Sequence, residues 1–219
     1  MTPIFDLPRP ALPLDGTSFP VRRIFCIGRN YADHAAEMGN AVDREKPFFF
    51  TKSAHALAHP GAIPYPPGTA DLHHEVELVL AIGAPLSNAS EQDAAAAIIA
   101  RAVGLDLTRR DLQAEAKDKR RPWDAAKDFE ASAVIAPLSA ARPGPGIRLS
   151  VNGDQRQNGR LADMIFPEAA LVAFLSTLYH LQPGDLVMTG TPAGVGPLQR
   201  GDTIRAEVDG LPALTAQIT

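Results

Sequence analysis

Glu75 and Glu77, two residues apart in the segment DLHHEVELVLAIG (71–83), are the first residues here whose spacing suggests chemistry. The segment alternates with period two, as a strand does. That puts Val76, Leu78, Leu80 and Ile82 on one face and Glu75, Glu77, Val79 and Ala81 on the other. At about 3.3 Å per residue the glutamate Cα atoms stand roughly 6.5–7 Å apart. Like charges that close, beside apolar neighbours, repel unless a cation or a proton lies between them. Asp106, near the end of the apolar run VGLDLT, is a third carboxylate that a core strand does not call for. An all-oxygen donor set of this kind suits Mg²⁺ or Mn²⁺, with water in the open positions. The competing reading turns both glutamates to solvent on a half-exposed strand, and the pattern admits either. A zinc site at His73 and His74 finds no cysteine pair or HExxH frame to support it.

A second constellation lies upstream, in GRNYADHAAEMG (28–39). Asn30 is placed to cap a short helix over 31–38, with Asp33 in its first turn and Gly39 as its stop. His34 and Glu37 are then three residues apart on one face and can touch. A glutamate on one imidazole nitrogen sets the tautomer and raises the basicity of the other, so the pair could deprotonate water. The same spacing also describes an ordinary surface pair. Other features carry less. Cys26, in IFCIG, reads as a small buried hydrophobe, and as the single cysteine it excludes an intrachain disulfide. The turn GTPAGVG has neither the GxGxxG spacing nor the GK[ST] of a phosphate-binding loop. Residues 109–121 hold six basic side chains (Arg109, Arg110, Lys117, Lys119, Arg120, Arg121) against three acidic ones. Most of that surplus reads as solvated helix surface.

The elements that must position these residues are short and strand-rich. Strands are expected at 21–28, 48–52, 74–83, 103–107, 148–157, 185–190, 203–208 and 213–218. Asn152-Gly153 marks a tight hairpin. Helices are expected from Ser90 to about Ala102, from a Thr108 cap to Pro122, and from Pro167 to His180. Strands outnumber helices and many connections are too short for helical crossovers, so the fold class is α+β with a mixed or largely antiparallel sheet. Five prolines in the first twenty residues make 1–20 an extended arm before a single domain over 21–219. The formal net charge of −4 argues against a nucleic-acid-binding domain. No apolar run reaches about 18 residues and Met1–Phe19 lacks a signal-peptide pattern, so the expected setting is the cytoplasm, away from membranes.

Six segments in order resemble the fumarylacetoacetate hydrolase family: 28–39, LHHEVEL (72–78), GLDLTRRDLQ (104–113), RPWDAAKDFEAS (121–132), VNGDQRQNG (151–159) and GDLVMTGTPAGVGPL (184–198). Within the family, the stretch from FPVRRIFCIG through REKPFFFTK is most similar to the fumarylpyruvate-cleaving branch. The resemblance implies a β-rich, roll- or sandwich-like mixed sheet with short peripheral helices. It implies a divalent cation on Glu75, Glu77 and Asp106, a lid helix carrying His34 and Glu37, and a pocket lysine at Lys127. Arg29, Asn30, Arg110, Gln113 and Thr191 fall where pocket contacts lie in the family, and a homodimer is implied as well.

The activity implied is cleavage of a C–C bond in a 1,3-dioxo acid, most simply fumarylpyruvate to fumarate and pyruvate. In that scheme the His34–Glu37 dyad activates water and the ion stabilises the departing pyruvate enolate. The alternatives are an acylpyruvate hydrolase or an oxaloacetate decarboxylase on the same metal platform, or a non-catalytic dioxo-acid binder.

Overall fold

The computed structural model describes residues 4–37, 39 and 44–219. Met38, the expected end of the first helix, lies outside the described residues. Strands dominate, in four sheets, and the helices are few and short. The α+β, mixed-sheet architecture read from the sequence is what the chain adopts.

The largest sheet has seven strands, in the order Phe48–Lys52, Arg23–Gly28, Asp185–Met188, Val76–Ile82, Ile98–Asp106, Ala133–Ile135 and Leu57–Ala58. Two of its pairings are parallel, Arg23–Gly28 with Asp185–Met188 and Ala133–Ile135 with Leu57–Ala58, and the others are antiparallel. Its two edge strands are consecutive in the chain, joined through the 3-10 turn Ala54–Ala56, so the sheet curls into a half-barrel. Small side chains line the inside of the curl: Cys26, Ala81, Ala100, Ala102 and Ala133, with Val79 and Met188. The other face packs on a five-stranded sheet (Asp154–Arg160, Gly146–Val151, Thr203–Val208, Leu214–Ile218, Ala62–Ile63) and on the helix Glu168–Leu178.

Strand Val76–Ile82 is therefore covered on both sides. Val76, Leu78, Leu80 and Ile82 belong to the core between the sheets, and Val79 and Ala81 to the core inside the curl. This rules out a solvent-facing role for Glu75 and Glu77, which are 5% and 1% exposed. Among the described residues no helix is long and apolar enough to cross a membrane.

The extended N-terminal segment packs against the large sheet. Ala11–Leu14 and Thr17–Pro20 form a hairpin whose Leu12 and Phe19 plug the inside of the curl. Its turn, Asp15-Gly16, has positive φ at both residues, which Asp and Gly tolerate. The helix after Ser90 ends at Ala97 instead of near Ala102, because Ile98 starts the long strand paired to Val76–Ile82. That pairing and the β-branched Ile98 and Ile99 outweigh the helical tendency of the alanines.

Thr108 does not cap the next helix, Arg110–Asp118. It is fully buried and accepts a hydrogen bond from Lys127 Nζ. Asn30 likewise turns away from the helix Ala32–Glu37. Its Nδ2 donates to the carbonyls of Phe166 and Thr189, and its Oδ1 accepts from the Phe166 amide.

Candidate active site

The carboxylates meet where the strand bearing Glu77 lies beside the end of Ile98–Asp106. The Asp106 amide donates to the Glu75 carbonyl at 2.9 Å, which sets the two side chains next to one another. One oxygen each from Glu75, Glu77 and Asp106 lie within 4.8 Å of one another, and all three residues are buried. Lys127, on the short helix Asp124–Lys127, inserts its ammonium between them. It lies 2.8 Å from Glu75 Oε2, 2.8 Å from Asp106 Oδ2 and 2.6 Å from Thr108 Oγ1. Arg110 closes the other side, its Nη2 2.5 Å from Glu75 Oε1, while its Nη1 donates to Gln113 Oε1 at 2.7 Å.

Lys52 was not singled out from the sequence. It ends the aromatic strand Phe48–Lys52, and its side chain crosses the inside of the curl. Its ammonium lies 2.9 Å from Asp106 Oδ1 and donates to the carbonyls of Leu107 and Lys127. A lysine two residues after Phe50, on the inward parity of an apolar strand, was the available signal.

Burial and charge set these groups apart. Burial favours the neutral form of Glu75, but the charges of Lys127 and Arg110 outweigh it and hold the carboxyl well below the usual range. Burial raises Glu77 strongly, and the negative charges of Asp106 and Glu75 raise it further. The Gly190 amide, 2.7 Å from Oε2, and the charge of Lys127 oppose this. Burial works against the Lys127 charge, and Asp106 and Glu75 overcome it, so its pKa lies above the ordinary lysine value.

The residues present fit a hard divalent cation. The donors are all carboxylate oxygens, and among the described residues Glu77 accepts from a single amide, that of Gly190. Asp106 Oδ1 is buried with no aligned hydrogen bond, because the Lys52 ammonium beside it lies off the bonding direction.

His34 and Glu37 sit as expected on one face of the helix Ala32–Glu37, with His34 Nδ1 3.3 Å from Glu37 Oε2. A positive charge on His34 would act on Glu75 in the same direction as those of Lys127 and Arg110, so the imidazole lies within electrostatic reach of the carboxylates. The Gly194 amide donates to both Glu37 oxygens, at 3.1 and 3.2 Å, tying the helix Ala32–Glu37 to the loop after Thr191. Gly194 has φ 95°, and a Cβ there would stand 2.1 Å from the Arg156 carbonyl oxygen. Gly194→Ala is expected to cost at least about 1 kcal/mol of stability and to release Glu37, lowering turnover as well. Thermal melts alongside rate measurements check both effects.

The remaining expected site residues are spread around this centre. Thr191 is buried and accepts from Gln157 Nε2 at 2.7 Å. Gln157 had not been picked out; its Oε1 takes the Val76 amide and His74 Nδ1, so one side chain joins the carboxylate strand to the Thr191 turn. It is the one fully buried polar residue in an otherwise exposed strand, a pattern invisible without the partner sheet. Asn30, through the bonds described above, holds the entry to the lid helix against Thr189. Arg29 has φ 60° and stacks on Phe48, 5.3 Å to the ring centre. Tyr31 is buried, with its hydroxyl unpaired among the described residues and its pKa raised by burial and then by the charge of Glu77. Cys26 is fully buried, and burial followed by the Asp106 charge pushes its thiol up, in line with an inert packing role.

Comparison with known proteins agrees with this architecture. The Fumarylacetoacetate (FAA) hydrolase C-terminal family pattern matches residues 23–219. The chain is 46% identical over 188 residues to the fumarylpyruvate hydrolase of a Ralstonia species, covering 83% of this chain and 98% of that protein. It is 44% identical over 201 residues to the oxaloacetate tautomerase YcgM of Escherichia coli, covering 88% of this chain and 90% of the relative. The crystal structure of fumarylpyruvate hydrolase from Pseudomonas aeruginosa, in complex with Mn²⁺ and pyruvate, superposes with a TM-score of 0.95 at 40% identity. That match spans 100% of this chain and 99% of the other. The match over residues 23–219 and the identity to these relatives show that this chain belongs to the fumarylacetoacetate hydrolase family.

Proposed function

We propose that the protein hydrolyses the C3–C4 bond of a 1,3-dioxo acid, with fumarylpyruvate as the substrate and Mg²⁺ or Mn²⁺ held by Glu75, Glu77 and Asp106. What supports this reading is a buried oxygen-only trio together with a His34–Glu37 pair within electrostatic reach of it. When bound, a divalent cation supplies Lewis-acid stabilisation to a 2-oxo carboxylate.

The chain's own residues do the rest. Three carboxylates face three cationic side chains, Lys52, Lys127 and Arg110. A dication leaves a formal surplus of two positive charges, a setting that favours an anionic 2-oxo acid headgroup. Glu37, anchored by the Gly194 amide, accepts from His34 Nδ1–H and leaves Nε2 as the base. His34 Nε2 takes a proton from water as the water oxygen adds to the C4 carbonyl. The C3–C4 bond then breaks, its electrons pass to C3 as the pyruvate enolate, and a proton returned to C3 completes pyruvate beside fumarate. Closure of the lid keeps bulk water from the site.

The similarity to an oxaloacetate tautomerase favours a second reading, proton transfer on oxaloacetate at the same centre with no attacking water. The two separate cleanly in a substrate screen. Fumarylpyruvate, acetylpyruvate and oxaloacetate are each incubated with Mn²⁺, with Mg²⁺ and with chelator, and pyruvate release and enol absorbance are followed. Cation-dependent release of pyruvate and fumarate from fumarylpyruvate is expected. Enol–keto exchange of oxaloacetate with no cleavage of either dioxo acid would replace the hydrolase reading with the tautomerase one.

A further inference from the structure

We propose that Lys117, with Arg29 beside it, binds the distal carboxylate of a dicarboxylic dioxo acid and so sets which acyl tail the enzyme accepts. The inference rests on the hydrolase reading above and adds the substrate class.

It follows from where the basic side chains of 109–121 go. Arg110 is taken by Glu75. Arg109 lies over the Phe129 ring, 4.3 Å to its centre, and donates to the Ala125 carbonyl. Lys119 pairs with Glu115 on the outer surface, and Arg120 and Arg121 are exposed. Lys117 alone remains half-buried with no carboxylate partner among the described residues.

Its position is not arbitrary. Arg110, Gln113 and Lys117 are spaced i, i+3 and i+7 on the helix Arg110–Asp118, one stripe of one face. The first two of that stripe point into the site, as the Arg110–Glu75 and Arg110–Gln113 bonds show.

Aromatic rings hold Lys117 and Arg29 on a common ledge. The Lys117 ammonium lies 5.2 Å from the centre of the Trp123 ring, and the Arg29 guanidinium 5.3 Å from that of Phe48. Those two rings touch edge to face at 5.1 Å. Burial, then the positive charges of Arg110 and Arg29, depress the Lys117 pKa, while the charge of Glu75 opposes this, so all of these groups lie within electrostatic reach. Three like charges gathered on one wall, one of them neutralised, leave a place for an anion. An acyl tail extending from a headgroup at the carboxylate trio along the Arg110–Lys117 stripe would put its far carboxylate there. A neutral tail would leave the two cations unpaired.

The test compares fumarylpyruvate with acetylpyruvate, which lacks the distal charge, in wild type, K117Q, K117R and R29Q, with folding checked by melting temperature. Losing a charge-assisted hydrogen bond predicts a fall of about 10- to 100-fold in the preference of K117Q for fumarylpyruvate over acetylpyruvate, carried by KM, with K117R retaining most of it. A preference unchanged in K117Q, or equal losses on both substrates, overturns the proposal.

A readout independent of turnover uses the chain's single tryptophan, Trp123, which forms part of the ledge. Fumarate added to the Mn²⁺- and pyruvate-loaded protein should change its emission in wild type and not in K117Q, and crotonate should change it in neither. If wild type cleaves neither dioxo acid, the hydrolase reading fails by itself. The fumarate titration then decides the carboxylate site alone: a response equal in wild type and K117Q refutes it.

Discussion

Replacing His34 with alanine is expected to slow fumarylpyruvate hydrolysis by about 10²–10⁴-fold while divalent-cation binding stays near wild type, the usual contribution of a positioned general base. The separation follows from geometry. His34 supplies no ligand atom to the carboxylate trio, and among the described residues its side-chain partner is Glu37. It sits on the short helix Ala32–Glu37, 7% exposed and outside the hydrophobic clusters of both sheets, so its truncation is expected to leave their packing intact. Glu37→Gln should produce a smaller loss, because the imidazole remains but its tautomer is no longer enforced and the Gly194 tie weakens. Steady-state kinetics on fumarylpyruvate, with Mn²⁺ titrated calorimetrically into each variant, provide the measurement. Full turnover in H34A would remove the dyad from the mechanism, and lost Mn²⁺ binding would make it a structural support instead.

The parts legible in the sequence are those governed by local rules. The alternation of 71–83 announced a strand and put both glutamates on one face, and Asp106 stood out because an apolar strand has no use for a carboxylate. Asn152-Gly153 set a hairpin by backbone conformation alone, and both residues have positive φ. The parts that were not legible are those decided by distant partners. Whether Glu75 and Glu77 met solvent or a core depended on a curl of seven strands that no window of sequence encodes.

The same holds for caps. Thr108 has the right chemistry to cap a helix, yet Lys127, nineteen residues on, competes for its hydroxyl inside the site, where an unpaired ammonium hydrogen would be costly. Asn30 was drawn off in the same way by Thr189 and Phe166. Lys52 escaped notice because a lysine at a strand end ordinarily reads as an edge charge, and only the closing of the sheet turns it inward to Asp106. Both lost caps and the missed lysine lie around the active site, where polar groups serve the centre over their own elements.

Lys127→Met is expected to have the largest effect on the metal-free protein. Lys127 is 2% exposed and its ammonium touches Glu75, Asp106 and Thr108, so its removal leaves buried carboxylates short of a counter-charge. Breaking a buried pair from one side typically costs about 3–5 kcal/mol, a large share of a domain's stability. Lys52 and Arg110 remain to compensate part of this, each holding a different oxygen. A divalent cation adds charge to the same three carboxylates, so Mn²⁺ should raise the melting temperature of K127M more than that of wild type. Saturation at a hundred times the dissociation constant would return about 2.7 kcal/mol. Turnover should not return with it, since the cation restores the charge balance of the carboxylates but not the lysine that faces the anionic substrate. Thermal melts with chelator and with millimolar Mn²⁺, run beside activity assays, separate the two roles. Equal Mn²⁺ shifts in wild type and K127M would mean that lysine and cation do not share one electrostatic site, and the charge argument for the whole centre would have to be rebuilt.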